Sequence, residues 1–330
     1  MKKRQCAHLP PSLERDAQSL YNSLWARPVH AKHFIAPTPV SLERKHLGNL
    51  LNTHVVAEKN DGERMMLLVG FPEIAHEDSY IVFVNRSRAL TVVARPTGKI
   101  KGSAHFHAEA EPQSIELCNG TLLDGELMHD GSFVIFDCVA AGGYDTKGLT
   151  SFQDRLRVAR SCCEALQPFL TCRVKRFFSV DHCMSVFENP AGPADGLILM
   201  PEDEVVRTGR HENMFKWKPA SKCTIDLMWY NGSEFRAVGD AGQPVSPTMS
   251  VGTVSMVPPT PDTPLISNMI YEIGPPAPPT HGATHGATHG EASKWSIIGP
   301  RPDKIAANHI LTIRRTLRTI RDNILPQEIV

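Results

Sequence analysis

T-H-V-V-A-E-K-N-D-G-E-R-M-M-L-L-V, residues 53–69, sets two apolar runs on either side of a charged centre. The apolar runs are short and rich in β-formers, so they read as buried strands. The seven residues between them, E-K-N-D-G-E-R (58–64), hold one lysine among three acids and one arginine. Asp61-Gly62 suits a tight turn, which makes a solvated hairpin tip one reading. A nucleophilic lysine presented between two strands is the other.

Outward from this stretch, short apolar runs continue. Strand candidates are 53–58, 64–70, 80–85, 89–94, 121–127, 132–139, 195–200, 214–218 and 224–230. Ser151-Phe-Gln-Asp154 resembles a helix start, with a hydroxyl cap and an acid three residues on. Strands dominate without regular alternation with helices, which predicts an α+β fold with largely antiparallel sheets. From 241 to 293 the texture changes. Prolines cluster at 258–264 and 275–279, and H-G-A-T-H-G-A-T-H-G (281–290) repeats a four-residue unit, the mark of a linker or insertion. Beyond it, Ile310, Ile313, Leu317, Ile320 and Ile324 recur at helical spacing, with Asn308 as candidate cap. Arg314, Arg315, Arg318 and Arg321 fall on the opposite side. They read as a solvated polar face or as an RNA-phosphate contact.

The balance of the 330 residues is neutral, with 35 Lys+Arg against 35 Asp+Glu, so no general nucleic-acid coat is indicated. Apolar residues make up 41%, enough for a sizeable core. None of the eight cysteines forms a C-x-x-C pair, which argues against a zinc ribbon and for reduced thiols. No apolar run approaches the roughly 18–20 residues of a membrane span, and no apolar segment follows the basic start. A soluble intracellular protein is expected.

No phosphate loop, dinucleotide fingerprint, H-E-x-x-H or G-x-S-x-G occurs, so a nucleotide would have to be held by side chains on strands. Six fragments supply such side chains: K-x-D-G-x-R at Lys59 to Arg64; L-L-D-G-E-L with Glu126; F-V-I-F-D with Phe136; D-G-L-I-L with Asp195; K-W-K-P with Lys216 and Lys218; and R-P-D-K with Arg301, Asp303 and Lys304. Each alone is weak. A D-G dipeptide is usually a turn, and a lone Phe is usually core.

Together, and in this order, they resemble the six motifs of the covalent nucleotidyltransferases, the mRNA capping guanylyltransferases and ATP-dependent polynucleotide ligases. The resemblance covers about residues 35 to 325. P-V-S-L (39–42), F-V-I-F-D-C-V-A-A-G-G (133–143), K-W-K-P followed by T-I-D-L (224–227), and M-I-Y-E-I (269–273) are similar to the capping branch. An ATP-dependent ligase is the alternative. The resemblance implies an ATP-grasp-like nucleotidyltransferase domain over 31–226. Before it stands an N-terminal extension, 1–30. After it come an OB-fold domain over 227–307, interrupted by the insertion 258–293, and a C-terminal helix over 308–330.

It also implies the chemistry. Lys59 would take GMP from GTP and pass it to the 5′-diphosphate end of nascent RNA. A free lysine is protonated at pH 7 and must be deprotonated or steered by neighbouring cations. Lys216 and Lys218 would flank the α-phosphate. Arg64 and Glu126 would lie near the ribose, Phe136 would stack on guanine, and Arg86 would contact phosphate. Asp195 and Glu126 would meet Mg²⁺ or Mn²⁺. Arg301, Asp303 and Lys304 would close over the β- and γ-phosphates. The partner classes that the resemblance implies are an RNA triphosphatase, a cap methyltransferase and RNA polymerase, and no membrane is expected. The location it implies is the nucleus, or a cytoplasmic replication site or virion for a viral enzyme. Three positions depart from the pattern: Asn85 precedes Arg86 where relatives carry Asp, Gly299 replaces an arginine, and Pro302 replaces Thr or Ser. Lys175, in R-V-K-R-F-F, is a candidate guanine selector but reads first as a salt-bridged surface lysine.

Overall fold

The computed structural model describes residues 9–26, 35–72, 78–107, 111–276, 295–302 and 304–329. All nine strand candidates form, with ends moved by a few residues. They sort into two sheets plus a third, C-terminal one, and the pairings are mostly antiparallel.

The first sheet runs in the order Thr38–Ser41, Arg210–Trp217, Ala194–Pro201, His54–Asn60, Phe178–Ser179. The second contains Leu90–Ala94, Tyr80–Val84, Glu63–Gly70, Thr121–Leu127 and Phe133–Ala141 as consecutive neighbours. His54–Asn60 and Glu63–Gly70 therefore belong to different sheets. The expected hairpin at Asp61-Gly62 is instead a corner that hands the chain from one sheet to the other. The reason is packing: both runs are buried on both faces, so each needs its own sheet neighbours.

The helix Phe152–Leu166 starts as read, with the Ser151 hydroxyl accepting from the Asp154 amide at 3.2 Å. Its Val158, Ala159, Cys162 and Leu166 cover one face of the second sheet against Leu67, Val69, Leu123 and Phe133. The other face is covered by a helix within the expected N-terminal extension, Pro11–Leu24. Its Leu13, Ala17 and Tyr21 pack on Met66, Leu68 and Tyr80. The seven described cysteines are free. Among the described residues no helix is long and apolar enough to cross a membrane.

Ile225–Tyr230, Glu234–Val238, Ile270–Gly274 and Ser296–Pro300 build the C-terminal sheet, closed on one side by the helix Ile310–Asp322 through Ile313 and Leu317. That helix is shorter than the expected 308–330. His309, not Asn308, caps it, accepting from the Leu311 amide at 3.2 Å, while Asn308 bonds the Asp226 backbone. Asn323, in the left-handed conformation at φ 38°, ends it. The tail then returns to the first sheet, where Ile324 and Ile329 are buried with Leu42, Val56 and Trp217. The H-G-A-T repeat and its histidines lie outside the described residues.

Candidate active site

The three central strands of the first sheet set the register of the site. Lys59 stands opposite Gly196, and Ile198 opposite Lys216. A bulge between Ala194 and Gly196 leaves Asp195 outside the ladder and turns its side chain toward the lysines. The Lys59 Nζ donates to Asp195 Oδ1 at 2.7 Å, and Lys218 pairs with the other oxygen, Oδ2. One carboxylate thus gathers two ammonium groups. Burial opposes ionisation of Asp195, but the hydrogen bonds from Lys218 and Lys59 prevail and hold its carboxyl below the ordinary range. Lys216, on the next strand, has its pKa lowered first by partial desolvation of its ammonium and then by the charges of Lys59 and Lys218.

The D-G pairs turn out to mark close backbone approach. A Cβ on Gly196 would stand 2.0 Å from the Trp217 carbonyl oxygen, and one on Gly125 would stand 2.4 Å from the Phe133 ring. Both lie within strands. Gly196→Ala is therefore expected to push the Asp195 and Lys216 strands apart, at an overpacking cost of about 1–3 kcal/mol. Urea unfolding checks the loss, and a variant as stable as the parent would contradict it.

The second sheet supplies the other wall. Arg64 stands opposite Glu126 across its strand pair, but its guanidinium bonds Asp124, with Nε–Oδ1 at 3.0 Å, and the Pro37 carbonyl. Glu126 accepts from the Gly62 amide at 3.2 Å, which fixes the corner after Lys59. Phe136 is half-buried, with Arg64 5.3 Å and Lys175 5.5 Å from its ring centre. Arg64, Glu126, Phe136 and Lys175, with Lys59, Pro39, Arg86, Phe177, Ile198, Met200 and Met214, line a cleft of about 120 Å³ that opens to solvent. Its lining combines four cations, Lys59, Arg64, Arg86 and Lys175, with the apolar side chains of Phe136, Phe177, Ile198, Met200 and Met214.

Lys175 overturns the expectation of a surface ion pair. It is buried, and its Nζ donates to the Glu58 carbonyl oxygen at 3.1 Å. Burial pulls its pKa down from 10.5 to about 8, with Glu126 and Glu58 opposing. An unfolded lysine keeps the ordinary value, so between about pH 8 and 10.5 the unfolded chain holds the extra proton. Stability attributable to this group therefore rises with pH across that window. Lys175→Met should remove that rise. Comparing unfolding free energies of the two proteins at both ends of the window checks it.

Arg86 sits on the turn after Tyr80–Val84, where Asn85 closes the loop by accepting from the Ala89 amide at 2.8 Å. The sixth fragment is not brought to the cleft. Arg301 pairs with Asp226 at 3.3 Å and Glu272 at 3.6 Å, and Lys304 lies 3.8 Å from Asp226. Asp303 lies outside the described residues. No three His, Cys, Asp or Glu side chains converge on a metal position among the described residues.

The family model of the mRNA capping enzyme catalytic domain matches residues 10–220. This span carries Lys59, Asp195, Lys216, Lys218 and the whole cleft, and it makes the chain a nucleotidyltransferase. More particularly, the chain belongs to the mRNA capping enzyme family, and it is an mRNA guanylyltransferase. It is 24% identical over 337 residues to the mRNA-capping enzyme subunit alpha of Schizosaccharomyces pombe, covering 90% of this chain and 79% of that one. Against the subunit of the same name from Candida glabrata it is 24% identical over 256 residues, 66% of this chain and 54% of that one. Among solved structures, a mycobacterial DNA ligase D with ATP and MES is similar at TM-score 0.39 and 15% identity, over 82% of this chain and 96% of that one. The bacteriophage T7 ATP-dependent DNA ligase with ATP is similar at 0.36 and 11%, over 81% and 98%. The assignment rests on the sequence matches.

Proposed function

We propose that guanylyl transfer runs through a covalent bond to Lys59. The observation that carries this is that Lys59 lines the cleft with its ammonium held at 2.7 Å by a carboxylate shared with Lys218. In the first step the Lys59 nitrogen attacks the α-phosphorus of GTP. A P–N bond forms, the bond to the bridging oxygen breaks, pyrophosphate leaves, and the lysine gives up its proton. In the second, a terminal oxygen of a 5′-diphosphate RNA attacks the same phosphorus. The P–N bond breaks, Lys59 regains a proton, and the product is GpppN-RNA.

Asp195 is the acceptor nearest to the Lys59 ammonium. With two ammoniums beside it, the carboxylate is a weak base. A triphosphate that draws Lys218 onto its own oxygens leaves Asp195 with one cation and makes it a better one. Lys216 and Lys218 supply charge to the transferring phosphate. Phe136 offers a face to the base, Lys175 a buried donor beside it, and Arg64, Arg86 and Glu126 the ribose and phosphate contacts. Asp195 and Glu126 are the carboxylates available to Mg²⁺ or Mn²⁺. With no third protein ligand converging among the described residues, an ion there would draw on phosphate and water oxygens, as hard cations do, and would neutralise triphosphate charge.

The C-terminal sheet and its helix make up the OB domain of this reading. Closure would move Arg301 and Lys304 from Asp226 and Glu272 to the β- and γ-phosphates. A separate triphosphatase would supply the diphosphate end, and a methyltransferase would act on the product, in the nucleus beside RNA polymerase. Labelled GTP with Mg²⁺ or Mn²⁺ tests the reading. Label should enter the protein, be blocked by excess unlabelled GTP but not ATP, and pass to diphosphate-ended RNA. Blocking by ATP alone would indicate a ligase.

A further inference from the structure

The helix Ile310–Asp322 carries a basic face that the guanylylation site does not use. Arg314, Arg315 and Arg318 are exposed, one turn apart or adjacent, and lie opposite the buried Ile313 and Leu317. None of the three guanidinium groups forms a salt bridge or hydrogen bond with a described residue, whereas that of the neighbouring Arg321 is tied to Asp322 at 2.6 Å.

Three contacts tie this helix and the residues just past it to the first sheet and its flanking turns. It packs on the short turn Ala220–Lys222, which follows Lys218 after one proline and carries the exposed Lys222. Just past the helix end, the Ile324 carbonyl accepts from Trp217 Nε1 at 2.9 Å, and Trp217 sits between the two lysines. The Asp322 carbonyl accepts from Arg44 Nε at 3.0 Å. Arg315 also lies within electrostatic reach of Glu212, whose carboxyl is held low first by Arg210 and then by Lys45 and Arg315. The acids along this seam are engaged already: Glu212 by Arg210, Glu43 by Lys45 at 3.0 Å, and Glu328 by Arg44 at 3.0 Å. The three arginines and Lys222 form no salt bridge with a described acid, and Lys222 follows Lys218 by four residues.

We propose that the Arg314, Arg315 and Arg318 face, continued by Lys222, binds the phosphodiester backbone of the acceptor RNA just downstream of its 5′ end. A single strand leaving the cleft past Lys218 meets Lys222 and then a helix whose arginines repeat at about 6 Å, one turn of rise. A protein partner fits this face less well. Leu311, 43% exposed, is the only large apolar side chain exposed on the helix, while protein interfaces centre on an apolar patch. Arginines without an apolar anchor suit a polyanion, whose binding is driven by counterion release.

The inference rests on the proposed transfer to RNA, and the test separates the two. The triple variant Arg314→Gln/Arg315→Gln/Arg318→Gln, in the full chain, should take GMP from GTP as the parent does and pass it to a diphosphate-ended dinucleotide with unchanged KM. For a diphosphate-ended RNA of about 20 nucleotides, KM should rise about tenfold or more at low salt. Loss of three phosphate contacts should make the slope of log affinity against log salt shallower by about 2, read by fluorescence anisotropy of the same RNA. The Arg→Lys triple variant should keep the parent's RNA affinity and salt slope. An unchanged KM for the long RNA overturns the proposal and leaves the face to an acidic protein. Equal losses with both acceptors, or a lost first step, overturn it too, because the helix would then be acting on the cleft. If the parent itself takes no GMP, the transfer reading fails, while the anisotropy still decides whether RNA binds here.

Discussion

Lys59→Arg is expected to bind GTP and to form no capped product, with activity down by about four orders of magnitude or more. Arginine keeps the positive charge that Asp195 grips, and its length is close to that of lysine. Its guanidinium does not lose a proton near neutral pH, so no lone pair is available to attack phosphorus. Removing the nucleophile of a covalent mechanism costs on this scale because the remaining groups have nothing to activate. GTP affinity by equilibrium titration and capping rate on the same preparation make the comparison. Binding with no turnover fits a nucleophile. Residual activity within a hundredfold of the parent would mean that Lys59 only attracts phosphate.

Arg155→Met should be the most destabilising of the changes considered, by about 3–5 kcal/mol. Arg155 and Asp137 form a buried pair, 3% and 6% exposed, with Nε–Oδ1 at 2.9 Å. The guanidinium also donates to the carbonyls of Leu149 at 2.7 Å and Glu204 at 2.8 Å. Removing it strands a buried carboxylate next to Phe136, and breaking one side of such a pair is far more costly than replacing both. The double variant Arg155→Met/Asp137→Leu should therefore recover much of the loss. Urea denaturation of the parent, single and double variants reads this directly. If the double variant is no better than the single, the carbonyl contacts rather than the stranded charge set the penalty.

What the sequence showed and what it hid divide along physical lines. The strands were legible because apolar β-formers announce themselves within five or six residues. Lys59, Asp195, Lys216 and Lys218 were legible as an ordered set, and the register of three adjacent strands brings them to one point. The corner at Asp61-Gly62 was not legible. Turn propensity is local, whereas the separation of the two sheets depends on partners some 60 and 140 residues away in the chain. Lys175 misled for the same reason. Its flanks, Arg173 and Arg176, are exposed and look like surface, but its own position faces into the space between the sheets. The helix Pro11–Leu24 could have been found. Leu13, Ala17, Leu20 and Leu24 have helical spacing, and the signal was hidden only by its place in a presumed extension. Placement of Arg301 and Lys304 beside Asp226 and Glu272 follows from folding of the C-terminal sheet, which brings residues 75 positions apart together.

The central claim is tested most directly by locating the guanylate. The protein is incubated with GTP labelled at the α-phosphate, separated under denaturing conditions, digested and mapped by mass. The account predicts one labelled peptide, modified at Lys59, with no label from the γ-phosphate and with loss of label when excess pyrophosphate is added. A protein that stays unlabelled with every nucleotide, or that carries the guanylate on another residue, would contradict it.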